Sequence, residues 1–167
     1  MDNAYLNIAA QYHRESACQV RIRPYQVKGP LNTGVELFLD SALLPEPGHG
    51  RSIFRAQVQM TDAQGAVCLE LTSEIEAIVI SKGLTNEELQ QALRHNIALT
   101  LLGAVRVQLQ FLSANTGYPL VTLPPVESPR LAGLPPLPAL PVWPSGYLQE
   151  GAEPDTASVA ALPVRAT

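Results

Sequence analysis

The stretch from Thr85 to Val126 decides what the rest of the chain can be. It reads as a helix with a marked start and a marked stop. Thr85 and Glu88 have the spacing of a capping box, in which the threonine oxygen takes an orphan amide and the glutamate reaches back to the cap. Leu89, Leu93, Ile97, Leu101, Val105, Leu109 and Leu112 follow at spacings of three and four, which places them on one face. Gly117 ends the helix and Pro119 prevents its resumption. Val105, Val107, Leu109 and Phe111 also alternate as a strand would, but continuation of the longer spacing to Leu112 favours helix.

A helix with one apolar face needs a surface to lie on, and the preceding sequence alternates like strands. Cys18, Val20 and Ile22 alternate with Gln19, Arg21 and Arg23. Pro24 interrupts, and the apolar parity flips to Tyr25 and Val27, as a bulge or an edge strand allows. Gly29-Pro30 and Asn32-Thr33-Gly34 read as turns. Val35, Leu37 and Leu39 mark a second strand, with Phe38 on its otherwise polar face. Phe54, Ala56, Val58 and Met60 mark a third, and Asp62–Gly65 is a hairpin turn. Val67, Leu69 and Leu71, then Ile75, Ala77 and Val79, keep one parity through a long fourth strand. Such short turns make neighbours antiparallel, with one apolar and one largely polar face. Residues 1–15, with Tyr5, Ile8, Ala9 and Tyr12, fit either a short helical face or an unstructured lead-in.

Charge narrows the partners. Residues 1–84 carry nine acids and seven bases, 85–130 three and three, and 131–167 three and one. No segment is basic, which argues against nucleic acid, since phosphate contact needs clustered Lys and Arg. No unbroken apolar run approaches the length of a bilayer span, so no membrane insertion is expected. The N-terminal residues lack the basic-then-apolar pattern of a signal peptide, and two cysteines make no disulfide framework, so a cytoplasmic location is expected.

The chain offers little chemistry. His13, His49 and His95 are scattered, and Cys18 with Cys68, even if they meet across the sheet, is half a zinc site. Glu70, Glu74 and Glu76 form an acidic row best explained as a solvated strand face. No phosphate loop, nucleophile elbow or dinucleotide fingerprint is present. No enzyme, catalytic residue, metal or cofactor is expected.

Four antiparallel strands, a long helix, and then Gly117-Tyr118-Pro119-Leu120-Val121-Thr122-Leu123-Pro124-Pro125-Val126 resemble the SecB family of export chaperones. Arg106 sits about where that family carries a helix arginine, and the run from Glu74 to Leu84 resembles its last strand and exit. The resemblance covers roughly residues 16–128. It implies a homotetramer that holds unfolded polypeptides without ATP, in apolar grooves bordered by the segment after the helix; some relatives serve toxin–antitoxin systems. Phe38, Phe111, Tyr118, Leu120, Leu123 and Val126 are the candidate groove residues, although Tyr118, Leu120, Leu123 and Val126 would equally serve to seal the core. Three departures stand out. Pro24–Pro30 lacks the acid with which the family docks the translocase motor, so that partner stays open. The chain is less acidic than export-dedicated members. Glu127-Ser128-Pro129-Arg130 leads straight into prolines, so the helix that usually lids the groove is expected to be missing or replaced.

Residues 133–144 read Gly-Leu-Pro, Pro-Leu-Pro, Ala-Leu-Pro, Val-Trp-Pro. Polyproline II has three residues per turn, so this segment would carry a proline edge beside an edge of Leu134, Leu137, Leu140 and Trp143. Either it docks in an apolar groove, its own or a partner's, or it is a low-complexity extension. The expected organisation is a lead-in over 1–15, a SecB-like α+β domain over 16–130 (four antiparallel strands covered by one long helix), a proline-rich segment over 131–149 and a disordered tail over 150–167. The expected activity is that of a holdase for unfolded polypeptides. The alternative is an adaptor that keeps the fold and binds one partner.

Overall fold

In the computed structural model, which describes residues 4–138, four strands form one antiparallel sheet. They are β1 (Tyr5–Val20), β2 (Asn32–Leu43), β3 (His49–Thr61) and β4 (Val67–Lys82). Their order is β1-β4-β3-β2. Residues 4–137 belong to one compact unit, which holds the sheet and its helices.

The turn chemistry of Asp62 sets the β3–β4 hairpin: its carboxylate accepts from the backbone N–H of Gln64 and of Ala66, both at 2.9 Å. Pairing of β2 with β3 and of β3 with β4 then puts Leu39, Phe54 and Ile75 side by side on the core face. Residues 5–15 are strand rather than lead-in. Bulges between Ile8 and Ala10 and between His13 and Glu15 break the alternation there, which hides the strand from a period-two reading. Asn32-Thr33-Gly34 opens β2 rather than turning, because it is in register with Gln59–Thr61. Pro24–Gln26 is one 3-10 turn rather than a bulge or an edge strand. It lies in the connection that carries the chain from β1, at one edge of the sheet, to β2 at the other.

The long helix runs from Asn86 to Ala114. Its capping box forms: the Glu88 N–H donates to Thr85 Oγ1 at 3.2 Å, and the Thr85 N–H donates to Glu88 at 2.8 Å. The Thr85 N–H first, and then the Thr85 hydroxyl, which donates to the same carboxylate at 3.0 Å, hold the Glu88 carboxyl below its usual range. The helix widens by one π-type turn at Leu93–Ile97. Residues spaced four apart drift about 40° per step around an ordinary helix, and a wider turn takes some of that drift back. Leu89, Leu93, Ile97, Leu101, Val105 and Leu109 therefore all end up buried against the sheet. The helix is also long and apolar enough, at a mean hydropathy of 1.5, to cross a bilayer by length and composition alone. The expectation of no such segment counted only unbroken runs; here the apolar face serves as the underside of the sheet. Gly50 lets the helix approach β3, since a Cβ there would meet Leu93 Cδ1 at 2.7 Å.

After the helix the chain turns at Gly117 (φ 78°) and runs back along it. Arg106 Nη2 donates to Pro124 O at 2.7 Å, and the Val121 N–H donates to Ser113 Oγ at 3.1 Å. A short helix follows at Ser128–Ala132. The expected gap after Val126 is thus filled by about one turn, started near Pro129 and anchored by fully buried Leu131.

Candidate functional site

The polar face of the sheet carries an ion-pair network rather than a solvated acidic row. Neighbouring strands align Glu15, Glu74, Arg55 and Phe38. Arg55 and Glu74 are both buried and meet at 2.5 Å, with Arg14 3.2 Å from the same carboxylate. Glu76 is shared between Arg14 and Arg51, and Glu70 pairs with Arg21. Every carboxylate of the row is thus satisfied by arginine, as a structural network requires. Among the described residues no group of three or more His, Cys, Asp or Glu is placed to hold a metal. Cys18 lies opposite Leu71 and is exposed, whereas Cys68 is buried, so the two thiols do not meet.

The expected groove residues divide into three sets. Tyr118 and Leu123 are buried in the core, with Val126 packed against it. The Tyr118 hydroxyl donates to Ile22 O at 2.5 Å, fastening the turn after the helix to the β1–β2 connection. Burial, followed by the charge and hydrogen bond of the neighbouring Cys68 thiol, raises its pKa. Phe38 is half-buried on the sheet face away from the helix, because Leu37 and Leu39 on either side of it point into the core. Phe111 and Leu120 are the exposed members, at 66% and 61%. Phe111 continues a stripe of exposed apolar side chains, Leu99 and Val107, on the helix face opposite the sheet. The structure therefore does not gather the six into one groove.

Concavity lies instead across the polar sheet face, where a cleft of about 680 Å³ is bordered by Gln19, Arg21, Glu36, Gln57 and Glu70, and in three places beside β2. A cleft of about 530 Å³ opens between Leu43, the first turns of the long helix (Gln90, Arg94) and Ala132. A second, of about 210 Å³, shares Arg94 and Ala132 and extends past Ser41 to Leu39 and Leu134. At the other end of β2, Leu31, Thr33 and Met60 face Pro119–Thr122 across a third, of about 360 Å³. Leu120 is the one groove candidate that lines any of the three. Leu43, Gln90 and Arg94 were not legible as site residues: Gln90 and Arg94 are spaced four apart on the helix, but only the return of the chain at Ala132 turns that flank into a wall. The tail residues Leu134 and Leu137 are half-buried, with Pro135 and Pro136 exposed between them. Leu140 and Trp143 lie outside the described residues.

A four-stranded antiparallel sheet, one long covering helix and a return segment along that helix define a SecB-like fold. Among solved structures the chain is similar to the Mycobacterium tuberculosis SecB-like chaperone Rv1957, in complex with a ChAD peptide from the Rv1956 HigA1 antitoxin. Identity is 15% and the TM-score 0.61, over 73% of this chain and 91% of that one. A protein of unknown function from Streptococcus agalactiae aligns over 73% of this chain and 98% of that one at 14% identity, with a TM-score of 0.39. No protein-family model and no curated protein matches the sequence.

Proposed function

We propose that this chain is a SecB-like polypeptide-binding protein, a cytoplasmic holdase that binds unfolded chains without ATP and catalyses no reaction. The observation that carries the reading is the combination of a SecB-like fold with apolar surface and clefts flanking an edge strand of the sheet. Unfolded chains expose apolar side chains and unpaired backbone together, and a free edge beside apolar walls takes both. Binding the unfolded state keeps it from aggregation. The exposed helix stripe at Leu99, Val107 and Phe111 suits a second copy of the chain, so we place the protein in a homo-oligomer. A narrower reading, an adaptor for one partner, is favoured by two observations. Pro24–Pro30 carries no acid for a translocase motor, and the solved SecB-like structure above holds an antitoxin peptide.

The test is binding of several unrelated, permanently unfolded polypeptides to the full chain, with suppression of aggregation of a heat-denatured enzyme. Comparable affinity across the set supports the holdase. Binding by one sequence class alone supports the adaptor, and no binding by a folded chain removes both.

A further inference from the structure

β2 is an edge strand, and one of its outward-facing groups is already taken by the chain itself. The Leu39 N–H donates to Pro135 O at 3.0 Å. Antiparallel ladders alternate, so the backbone groups of Val35, Leu37 and Ser41 point the same way as those of Leu39, away from β3. Ser41 bears this out: its C=O accepts from the Gln90 side chain at 3.3 Å. Ala132 lies in the cleft by Leu43, and Pro135 is bonded at Leu39, so the segment runs antiparallel to β2, toward its Asn32 end. Its side chains keep the triplet rhythm: Leu134 and Leu137 turn inward, and the prolines between them outward. Leu134 packs against the core.

Prolines suit this position. Pro135 and Pro136 have carbonyls but no N–H, so the segment accepts from β2 while offering few donors to a further strand. It closes an edge without creating a new one. We propose that the β2 edge is a backbone docking site for an extended polypeptide, held closed in the resting protein by residues 134–137 of the same chain. An incoming strand displaces them, pairs with the outward groups of Leu39, Leu37 and Val35, and sets its apolar side chains in the clefts at Leu43 and Leu31. Because the occupant is tethered, it competes at a high effective concentration, which filters out weak ligands. The proposal rests on the polypeptide-binding reading.

The test uses the full chain and two variants, Leu137→Ser and Leu134→Ser/Leu137→Ser, the milder one guarding against loss of fold. Two quantities are read: hydrogen exchange at the Leu39 amide, and the affinity for a reduced, alkylated polypeptide that cannot fold. Leu39 should be protected in the parent, exchange faster in the variants, and regain protection when the polypeptide is added. An edge free about one-tenth of the time would bind about tenfold more tightly once opened. Equal Leu39 exchange in parent and variants overturns the closure. Binding that leaves Leu39 unprotected in the variants overturns the docking site while leaving a polypeptide-binding protein. Absence of binding to any form, with Leu39 still protected in the parent, removes the docking site together with the function it rests on.

Discussion

Tyr118 shows how a residue with the look of a binding group is absorbed by the fold. An aromatic residue after a helix-ending glycine is an obvious candidate for a groove wall. Its ring is instead buried, and its hydroxyl holds the carbonyl of Ile22, ninety-six positions away. Gly117 makes that geometry available: its φ is 78°, and a Cβ there would come within 3.2 Å of Pro24 Cγ. Tyr118→Phe removes one hydrogen bond and leaves a half-buried carbonyl without its donor. The expected loss of stability is about 1 kcal/mol in urea denaturation at neutral pH. The pH dependence follows from the raised pKa. The neutral phenol is the form the fold favours, so its contribution is complete below the ordinary value of 10.0 and is lost as pH rises through the raised one. The gap between parent and Tyr118→Phe should therefore close in alkaline titration. A gap that stays constant to high pH would show that the hydroxyl does not hold the carbonyl.

At the scale of elements, β4 presents two chemistries to two sides. Its core face carries Leu69, Leu71, Ile75, Ala77 and Val79, and its other face the buried Glu74 with Arg55 across from it on β3. A pair this far from water costs desolvation that its attraction only partly offsets, but removing one member leaves an uncompensated charge. Arg55→Met should cost about 3–5 kcal/mol, toward the lower end because Arg14 also reaches Glu74. The double variant Arg55→Met/Glu74→Leu should regain most of that loss in thermal unfolding. Equal stability of the single and double variants would mean that Glu74 is served by Arg14 and the network is not organised around Arg55. Strand identity was legible wherever the alternation was unbroken, as in β3 and β4. It failed over residues 5–15 of β1, where two bulges shift the parity, though not at its Cys18–Val20 end, and at Asn32–Gly34, where turn-forming residues pair in a ladder. The helix was legible from its cap and its spacing. Its π-type turn was not, although a stripe repeating every four residues from Leu89 to Leu109 demands some unwinding to stay on one face. The burial of Glu74 was illegible because parity says which face a side chain takes and nothing of how deep an arginine across the strand will cover it. The clefts beside β2 were illegible for a related reason: they are made by the return of residues 118–137, and no local pattern announces where a chain comes back.

For the whole molecule, the question is what covers the long helix. One face lies on the sheet. On the other, Leu99, Val107 and Phe111 fall along a line with Gly103, where an added Cβ would meet nothing within 4 Å. The return segment does not cover this line, since Leu123 and Val121 are spent on the core beside β2. Spacings of four and eight give an apolar stripe that winds by about 40° per step around the helix, and two copies can bury it against each other by a two-fold axis, the same residues serving both sides. Unfolded clients would find the same stripe attractive, so exposure alone does not separate assembly from binding, but paired measurements do. Val107→Glu/Phe111→Glu puts two charges where close packing is needed and touches neither the core nor the β2 edge. Sedimentation velocity should show a fall in mass relative to the parent, with helix content by circular dichroism unchanged. Affinity for the unfolded polypeptide should fall by no more than the loss of multivalency entails, because the docking edge lies elsewhere on the protomer. Unchanged mass together with lost binding would reverse the assignment, making the stripe the client surface and leaving assembly to the opposite edge of the sheet, β1.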